Sequence, residues 1–320
     1  MNNDLVKGRP WASFCMSTYN RPEFLRSQVS LLLQQSFTDF EIVIADNDPS
    51  GSGKAVVDAF NDARIKYQCN GENLGMVKSF NRSVDRAMGE YIVMVTDDDP
   101  VFFDLLEVFH TIITGHPGYS FYGGLKRTYK EEGELELIGG DDFIREFLDL
   151  DKTSELVWSG CLLEREALLQ IGKLPDYGSP HLVDHAMLAM VGAIGGGVVV
   201  NKMYSTIAYH QTNFSKSNFD YYYNSCAEFY RLMEGFIQQR PLYEENKKVI
   251  VDHLGKWFIS CIFSLLNYFR SAANHDEQKL AEIKIVAEKI LRLPFMQPYR
   301  FKYRAKSIIL SVKFGLGIKK

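Results

Sequence analysis

The chain has 320 residues, with 36 Lys and Arg against 40 Asp and Glu and a formal charge of −4. That length suits one large domain or two of ordinary size, and 46 % hydrophobic with 24 % charged residues excludes wholesale disorder. The near-neutral total argues against a nucleic-acid coat, so no nucleic acid is expected among the partners.

In chain order, Trp11-Ala12-Ser13-Phe14-Cys15-Met16 reads as a buried strand, and Arg21-Pro22 opens a helix running to about Gln35. Pro22 suits a first helical turn, where its missing N–H costs little. Phe40-Glu41-Ile42-Val43-Ile44-Ala45 is a second strand, ending in the turn-rich run Asp46-Asn47-Asp48-Pro49-Ser50-Gly51. A short helix (about 53–62), a strand (65–69), a helix (about 74–88) and a strand (91–95) follow. This rhythm of apolar strands and helices predicts a mostly parallel sheet covered by helices. Ligands of such sheets bind beyond the carboxyl ends of the strands. Those ends read Ser17-Thr18-Tyr19-Asn20, Asp46-Asn47-Asp48 and Thr96-Asp97-Asp98-Asp99, all polar and two of them acidic. From about 119 to 210 the pattern is mixed, with a hairpin expected around Glu131-Glu132-Gly133, short helices, and a strand at 197–200. Beyond Asn218 the chain reads as helical to its end. The boundary is expected near 216, giving domains of 1–216 and 217–320.

The five cysteines, Cys15, Cys69, Cys161, Cys226 and Cys261, are scattered and form no CxxC pair, which excludes a disulfide framework or a zinc ribbon. The opening Met1-Asn2-Asn3-Asp4 lacks a basic start followed by an apolar run, so no secretory signal is expected and the reducing cytoplasm is the expected compartment. The apolar stretch 254–269 is interrupted by Lys256 and is short for a bilayer span. Gly51-Ser52-Gly53-Lys54 is no phosphate loop, because Asp48 holds the first glycine position and no Ser or Thr follows the lysine.

The strongest single feature is Thr96-Asp97-Asp98-Asp99-Pro100 directly after an apolar strand. Three adjacent carboxylates raise one another's pKa unless a cation is near, and hard oxygen donors suit Mg²⁺ or Mn²⁺ holding a diphosphate. The bland alternative is a solvated acidic turn capping a helix that starts near Val101.

In this context the sequence resembles the family 2 glycosyltransferases of the bacterial surface-polysaccharide type. Four pieces carry the resemblance, in order. Ser17-Thr18-Tyr19-Asn20-Arg21-Pro22 looks like the T-Y-N-R-P opening. Gln34-Gln35-Ser36-Phe37-Thr38-Asp39-Phe40-Glu41-Ile42-Val43 looks like the approach to the second strand. Asn73-Leu74-Gly75, Ser79-Phe80-Asn81 and Ala87-Met88-Gly89-Glu90-Tyr91-Ile92 resemble the N-x-G…N…A-x-G-E-Y-I run, and the Asp triplet takes the DxD place. The resemblance implies a GT-A fold, Rossmann-like with flanking helices, plus an α-helical C-terminal extension. It also implies an inverting transfer of sugar from a nucleotide-sugar donor, a UDP-sugar, to a saccharide or lipid-linked glycan acceptor.

For the site, the resemblance implies that Thr18, Tyr19, Asp46, Asn47, Asn73, Gly75, Lys78, Asn81 and Asp97 serve the donor, with Asp97 at the ribose. Asp98 or Asp99 would hold Mn²⁺ or Mg²⁺, joined by His210 of Tyr209-His210-Gln211-Thr212-Asn213-Phe214-Ser215, which resembles a closing H-x-x-N-x-S segment. Asn47 stands where the family usually carries an acid or Gly. His181-Leu182-Val183-Asp184-His185-Ala186-Met187-Leu188 falls at the E-D-x-D-L position, which makes Asp184 the general base; Val183 replaces the usual Glu. The alternative for Asp184 is a helix N-cap. A sugar-1-phosphate nucleotidyltransferase would need a Gly-rich, Arg-bearing loop after the first strand, and a non-catalytic glycan-binding or scaffold protein has no use for both the triplet and Asp184.

The last 29 residues hold Arg292, Arg300, Lys302, Arg304, Lys306, Lys313, Lys319 and Lys320 and no acid, which leaves −12 on residues 1–291. Phe301, Ala305, Ile308, Ile309, Val312 and Leu316 recur at helical spacing. This pattern fits a basic amphipathic helix on an anionic membrane surface, which would place the protein peripherally on the inner face of the membrane through 292–320; the alternatives are a helix packed on the enzyme and a dimer contact.

Overall fold

The computed structural model describes residues 8–208, 218–271 and 273–315. Those residues divide into two compact units, one from the ranges Met1–Asp176 and Val183–Gln211, the other from Tyr177–Leu182 and Thr212–Lys320. The first unit alternates β1 (Ala12–Thr18), α1 (Pro22–Leu32), β2 (Phe40–Asp46), α2 (Lys54–Phe60), β3 (Ile65–Cys69), α3 (Met76–Arg86) and β4 (Tyr91–Val95). It continues through α4 (Leu105–Gly115), β5 (Phe121–Gly124), β6 (Lys126–Arg127), β7 (Leu135–Ile138), α5 (Gly140–Leu148) and β8 (Thr153–Glu155). A 3₁₀ turn (Trp158–Gly160), β9 (Cys161–Glu164), α6 (Arg165–Gln170), α7 (Val183–Gly195) and β10 (Gly197–Val200) complete it.

Eight strands form one sheet in the order β3-β2-β1-β4-β9-β5-β10-β7. The first four are mutually parallel, β9 runs against β4 and β5, and β7 runs against β10. The strands β1 and β2 are apolar runs buried along nearly their whole length, as strands covered by helices on both faces must be. From β1 the chain first proceeds outward through β2 and β3, then returns to place β4 on the other side of β1. That reversal opens a crevice between the carboxyl ends of β1 and β4, the place where ligands of open α/β sheets bind.

Two motif pieces turn out to be structural. The buried Glu41 carboxylate accepts hydrogen bonds from Ser13 Oγ (2.7 Å) and from the Met88 amide (2.7 Å), while the Gly89 amide donates to Ser13 Oγ (2.8 Å). Gly89 lies so close to β1 that a Cβ there would sit 2.6 Å from Ala12 backbone, so only glycine lets the 87–90 turn seat. Glu41 and Gly89 therefore latch the entry to β4 and fix its register beside β1.

Two expectations are corrected. The turn at 131–133 exists, with Glu134 N bonded to Glu131 O (3.1 Å), but it closes no hairpin: β6 pairs with β8, and β7 with β10. Asn201 takes the turn away from its own flanks, donating to Lys130 O (2.7 Å) and Glu131 O (3.0 Å), while its backbone oxygen accepts from Gly133 N (3.0 Å). The helix after the acidic triplet starts at Leu105 and not near Val101, which instead forms an antiparallel bridge with Ser205. The triplet is therefore not a helix cap.

The second unit is helical among its described residues: α8 (Asp220–Ile237), α9 (Tyr243–Arg270), α10 (Glu277–Leu291) and α11 (Tyr299–Gly315). Phe229, Met233 and Ile237 of α8, Ile250, Leu254, Phe258 and Ile262 of α9, and Leu280, Ile283 and Ile290 of α10 are buried. Among the described residues α9 alone is long and apolar enough to cross a membrane, and half of its apolar window is buried within the protein. Gly255 of α9 makes room for the Tyr299 ring; a Cβ there would lie 2.1 Å from it. Tyr299 Oη donates to the Asp252 carboxylate (2.5 Å) and fixes the start of α11 on α9.

Candidate active site

The crevice is built from the ends of β1 and β4. The parallel register of these strands carries Thr18 to the side of Asp97, and Thr18 Oγ1 donates to Asp97 Oδ2 (2.8 Å). Pro22 sets the start of α1, so Arg21 stands at its N-terminus and reaches across, Nη1 to Asp97 Oδ1 (2.8 Å) and Nη2 to Asp98 Oδ2 (2.9 Å). The guanidinium also lies over the Phe24 ring, 4.1 Å from its centroid. Burial pushes the Asp97 carboxyl up to about 6, against the opposing pull of Arg21 and Thr18. Asp99 is held differently: its Oδ1 accepts from Ala208 N (2.9 Å), its amide donates to Thr96 Oγ1 (3.0 Å), and its carbonyl accepts from Gln28 (2.9 Å).

Next to this lies a closed amide network. Asn47, at the end of β2, donates through Nδ2 to Asn73 Oδ1 (2.7 Å) and accepts at Oδ1 from Leu74 N (2.8 Å) and Asn70 (3.2 Å). Its own amide donates to Thr18 O (2.8 Å), tying β2 to β1 at the crevice. Asn70 and Ser17 both donate to Ser79 Oγ, which fastens α3 to the same edge. Gly75 starts α3 at φ 80°, ψ 164°, a conformation that a side chain would resist, and its amide donates to Asn73 Oδ1 (3.0 Å).

Asp46 is fully buried. Its Oδ1 accepts from Asp48 N (3.0 Å) and its Oδ2 from Gly53 N (2.8 Å) and Tyr67 Oη (2.7 Å), so its carboxylate shapes the 46–53 loop. Asn81 clamps the loop after α6, donating to Leu174 O (2.8 Å) and accepting from Leu174 N (3.0 Å). Lys78 is exposed, with Asp176 3.8 Å away. Tyr19 stands half exposed (49 %), and Asn73, Gly75 and Lys78 are exposed beside it. Of the nine expected donor residues, Thr18, Asp46, Asn47 and Asp97 are buried and Tyr19, Asn73, Gly75 and Lys78 are exposed, while Asn81 is half-buried and occupied with Leu174.

Asp184 sits in the first turn of α7, partly exposed. The antiparallel course of β9 brings Cys161 toward the carboxyl end of β4. Burial raises the pKa of the Cys161 thiol, and the Asp184 carboxylate is near enough to raise it further. The Trp158 ring just before β9 meets Phe80 of α3 edge-on at 5.0 Å, and both are buried.

Among the described residues no three His, Cys, Asp or Glu side chains gather into a metal cage, and His210 lies outside the described residues. Asp98 and Asp99 are hard oxygen donors of the kind a divalent cation takes, but Asp98 Oδ2 is paired with Arg21 and Asp99 Oδ1 accepts from Ala208 N, so a cation would have to compete with those partners. Sequence reasoning gave no role to Arg21, Ser79 or Asn70. Arg21 carried one available signal: a cation at a helix start, one loop beyond a strand that neighbours the strand bearing the acids.

A mixed sheet of this order, with carboxylates at the point where the strand order reverses, defines a GT-A type fold. The model of the family described as glycosyl transferase family 2 matches residues 13–172, half of the chain, and the chain belongs to that family. The abequosyltransferase RfbV of Salmonella typhimurium is 34 % identical over 106 residues, which cover 32 % of each chain. The GalNAc(5)-diNAcBac-PP-undecaprenol beta-1,3-glucosyltransferase of Campylobacter jejuni is 33 % identical over 93 residues, 28 % of this chain and 30 % of that one. The chain thus spans about a third of the length of these curated relatives. The S. aureus TarS 1-349 structure in complex with UDP-GlcNAc superposes with a TM-score of 0.63 over 92 % of both chains at 15 % identity, a likeness of fold.

Proposed function

We propose that the protein is a metal-dependent, inverting glycosyltransferase that moves a sugar from a nucleoside diphosphate donor, a UDP-sugar, to a saccharide hydroxyl. The observation that carries this reading is the buried Asp97, held by Thr18 and Arg21 at the crevice between β1 and β4. A carboxylate kept dry and pre-oriented at a strand end suits a ribose hydroxyl, which can donate to it. Tyr19 offers an exposed aromatic face for the base, beside the Asn47–Asn73 network.

Asp98 and Asp99, with His210, would hold Mn²⁺ or Mg²⁺, which when bound neutralises the diphosphate as it leaves. Arg21 keeps the Asp97–Asp98 pair oriented. The acceptor oxygen attacks the anomeric carbon as the bond to the diphosphate breaks, and its proton passes to Asp184. A single displacement of this kind inverts the anomeric centre. The acceptor is a saccharide in surface-polysaccharide or lipid-linked glycan synthesis, a reading supported by the relative whose name specifies an undecaprenol-linked glycan.

A thermal-shift panel of nucleotide sugars with and without Mn²⁺ tests this, because a ligand of the folded state alone raises the melting temperature. A UDP-sugar that stabilises the protein only with Mn²⁺ is the expected result. Stabilisation by no nucleotide sugar would overturn the reading in favour of a non-catalytic protein.

A further inference from the structure

The helical unit carries a surface that donor chemistry does not use. Helix α11 has two apolar faces. One is buried: Tyr303 meets Phe258 and Phe263 of α9, and Tyr299 lies over Gly255. The opposite face is open, with Phe301 80 %, Ile308 65 % and Ile309 56 % exposed. At 100° per residue these three fall within one sector of the helix, roughly a quarter to a third of its circumference. Arg300 and Arg304 border that sector on one side, and Lys302 and Lys306 on the other.

Several charges on this helix are anchored in ways that keep the rim in place. Arg300 Nε donates to Leu291 O (2.7 Å), and the Lys302 and Lys306 ammonium groups lie 5.1 and 4.8 Å from the Tyr299 and Phe263 ring centroids. No acidic residue occurs anywhere from 292 to 320. An apolar strip between two cationic edges, on a helix fastened to its neighbours along the other side, is the geometry of a helix lying in the plane of a membrane interface.

We infer that the open face of α11 docks on an anionic lipid bilayer, with Phe301, Ile308 and Ile309 entering the acyl boundary and the flanking cations resting among acidic headgroups. Charge complementarity selects this occupant. A second copy joined through the same face by a two-fold axis would set one cationic rim against another and pay for it in repulsion. An anionic headgroup layer meets both rims with the opposite charge. The inference goes beyond the donor chemistry proposed above and does not depend on it.

Vesicle co-sedimentation of the full chain provides the test, using phosphatidylcholine alone and an equal mixture of phosphatidylcholine and phosphatidylglycerol. The expected result is binding at least about tenfold stronger to the phosphatidylglycerol vesicles, released at high salt as the Debye length shrinks. The triple variant Phe301→Ser/Ile308→Ser/Ile309→Ser and the triple variant Lys302→Gln/Arg304→Gln/Lys306→Gln should each lose about tenfold or more. Both change exposed side chains, so an unaltered melting curve confirms that they remain folded. Equal binding to both vesicle types, or unchanged binding by either variant, overturns the inference. So does a dimer, seen by light scattering, that the apolar triple abolishes while the wild type ignores vesicles; the face then belongs to a second copy. Nucleotide binding measured on the same samples separates this outcome from the proposed function: vesicle binding lost with UDP binding intact leaves the donor site standing.

Discussion

At the sheet edge of the α/β unit the polar side chains close on one another, whereas on α11 of the helical unit Lys302, Arg304 and Lys306 are exposed. Thr18, Arg21, Asp97 and Asp98 form one connected set and Asn47, Asn70, Asn73 and Ser79 another, most of them wholly or partly buried. Buried networks of this kind are rigid and costly to break, because a partner left alone keeps its desolvation penalty. The cations of α11 have little to lose individually and act through their number. Precise placement suits a site that must orient a small ligand, and plurality suits a surface that meets a fluid one.

Substitutions can break or sharpen this contrast. The largest effect is expected for Asp184→Asn, which should lower transfer by about 10²–10⁴-fold while leaving UDP binding in place. Steady-state transfer and nucleotide titration on one preparation check it; loss of both together would make Asp184 a structural cap instead. Arg21→Met comes next. It strands the buried Asp97 and the partly buried Asp98 without their cation and should cost about 3 kcal/mol of stability by urea unfolding. The matching change on α11, Arg304→Met, should stay within about 0.5 kcal/mol. Equal losses at the two arginines would erase the distinction between the regions.

Within the helical unit, Gly255→Ala drives a methyl into the Tyr299 ring and should cost about 1–3 kcal/mol, read as a lower melting temperature. Asn47→Ala removes three side-chain hydrogen bonds and leaves the Leu74 amide unpaired, and is expected to cost about 1–2 kcal/mol in the same measurement.

The strands were legible because a sheet covered on both faces leaves uninterrupted apolar runs, and the acidic triplet was legible because nothing in a core needs three carboxylates in a row. The hairpin at 131–133 was misread because its decisive partner, Asn201, lies about seventy residues away and no local pattern reports it. Arg21 belongs to the opening motif, but its role is hidden in the sequence because it depends on the register that sets β1 beside β4. Glu41 and Gly89 show the converse. Both belong to motif pieces that carry the family resemblance, and both are occupied in seating one strand against another. A motif marks what the fold and its chemistry jointly require, and only the contacts separate the two.

Isothermal titration of UDP with Mn²⁺ into the wild type, Asp97→Asn and Asp184→Asn tests the central claim most directly. Saturable binding by the wild type and Asp184→Asn, with a loss of at least about tenfold in Asp97→Asn, is the predicted result. Undiminished binding by Asp97→Asn would contradict it, because the nucleotide would then rest somewhere other than the crevice between β1 and β4.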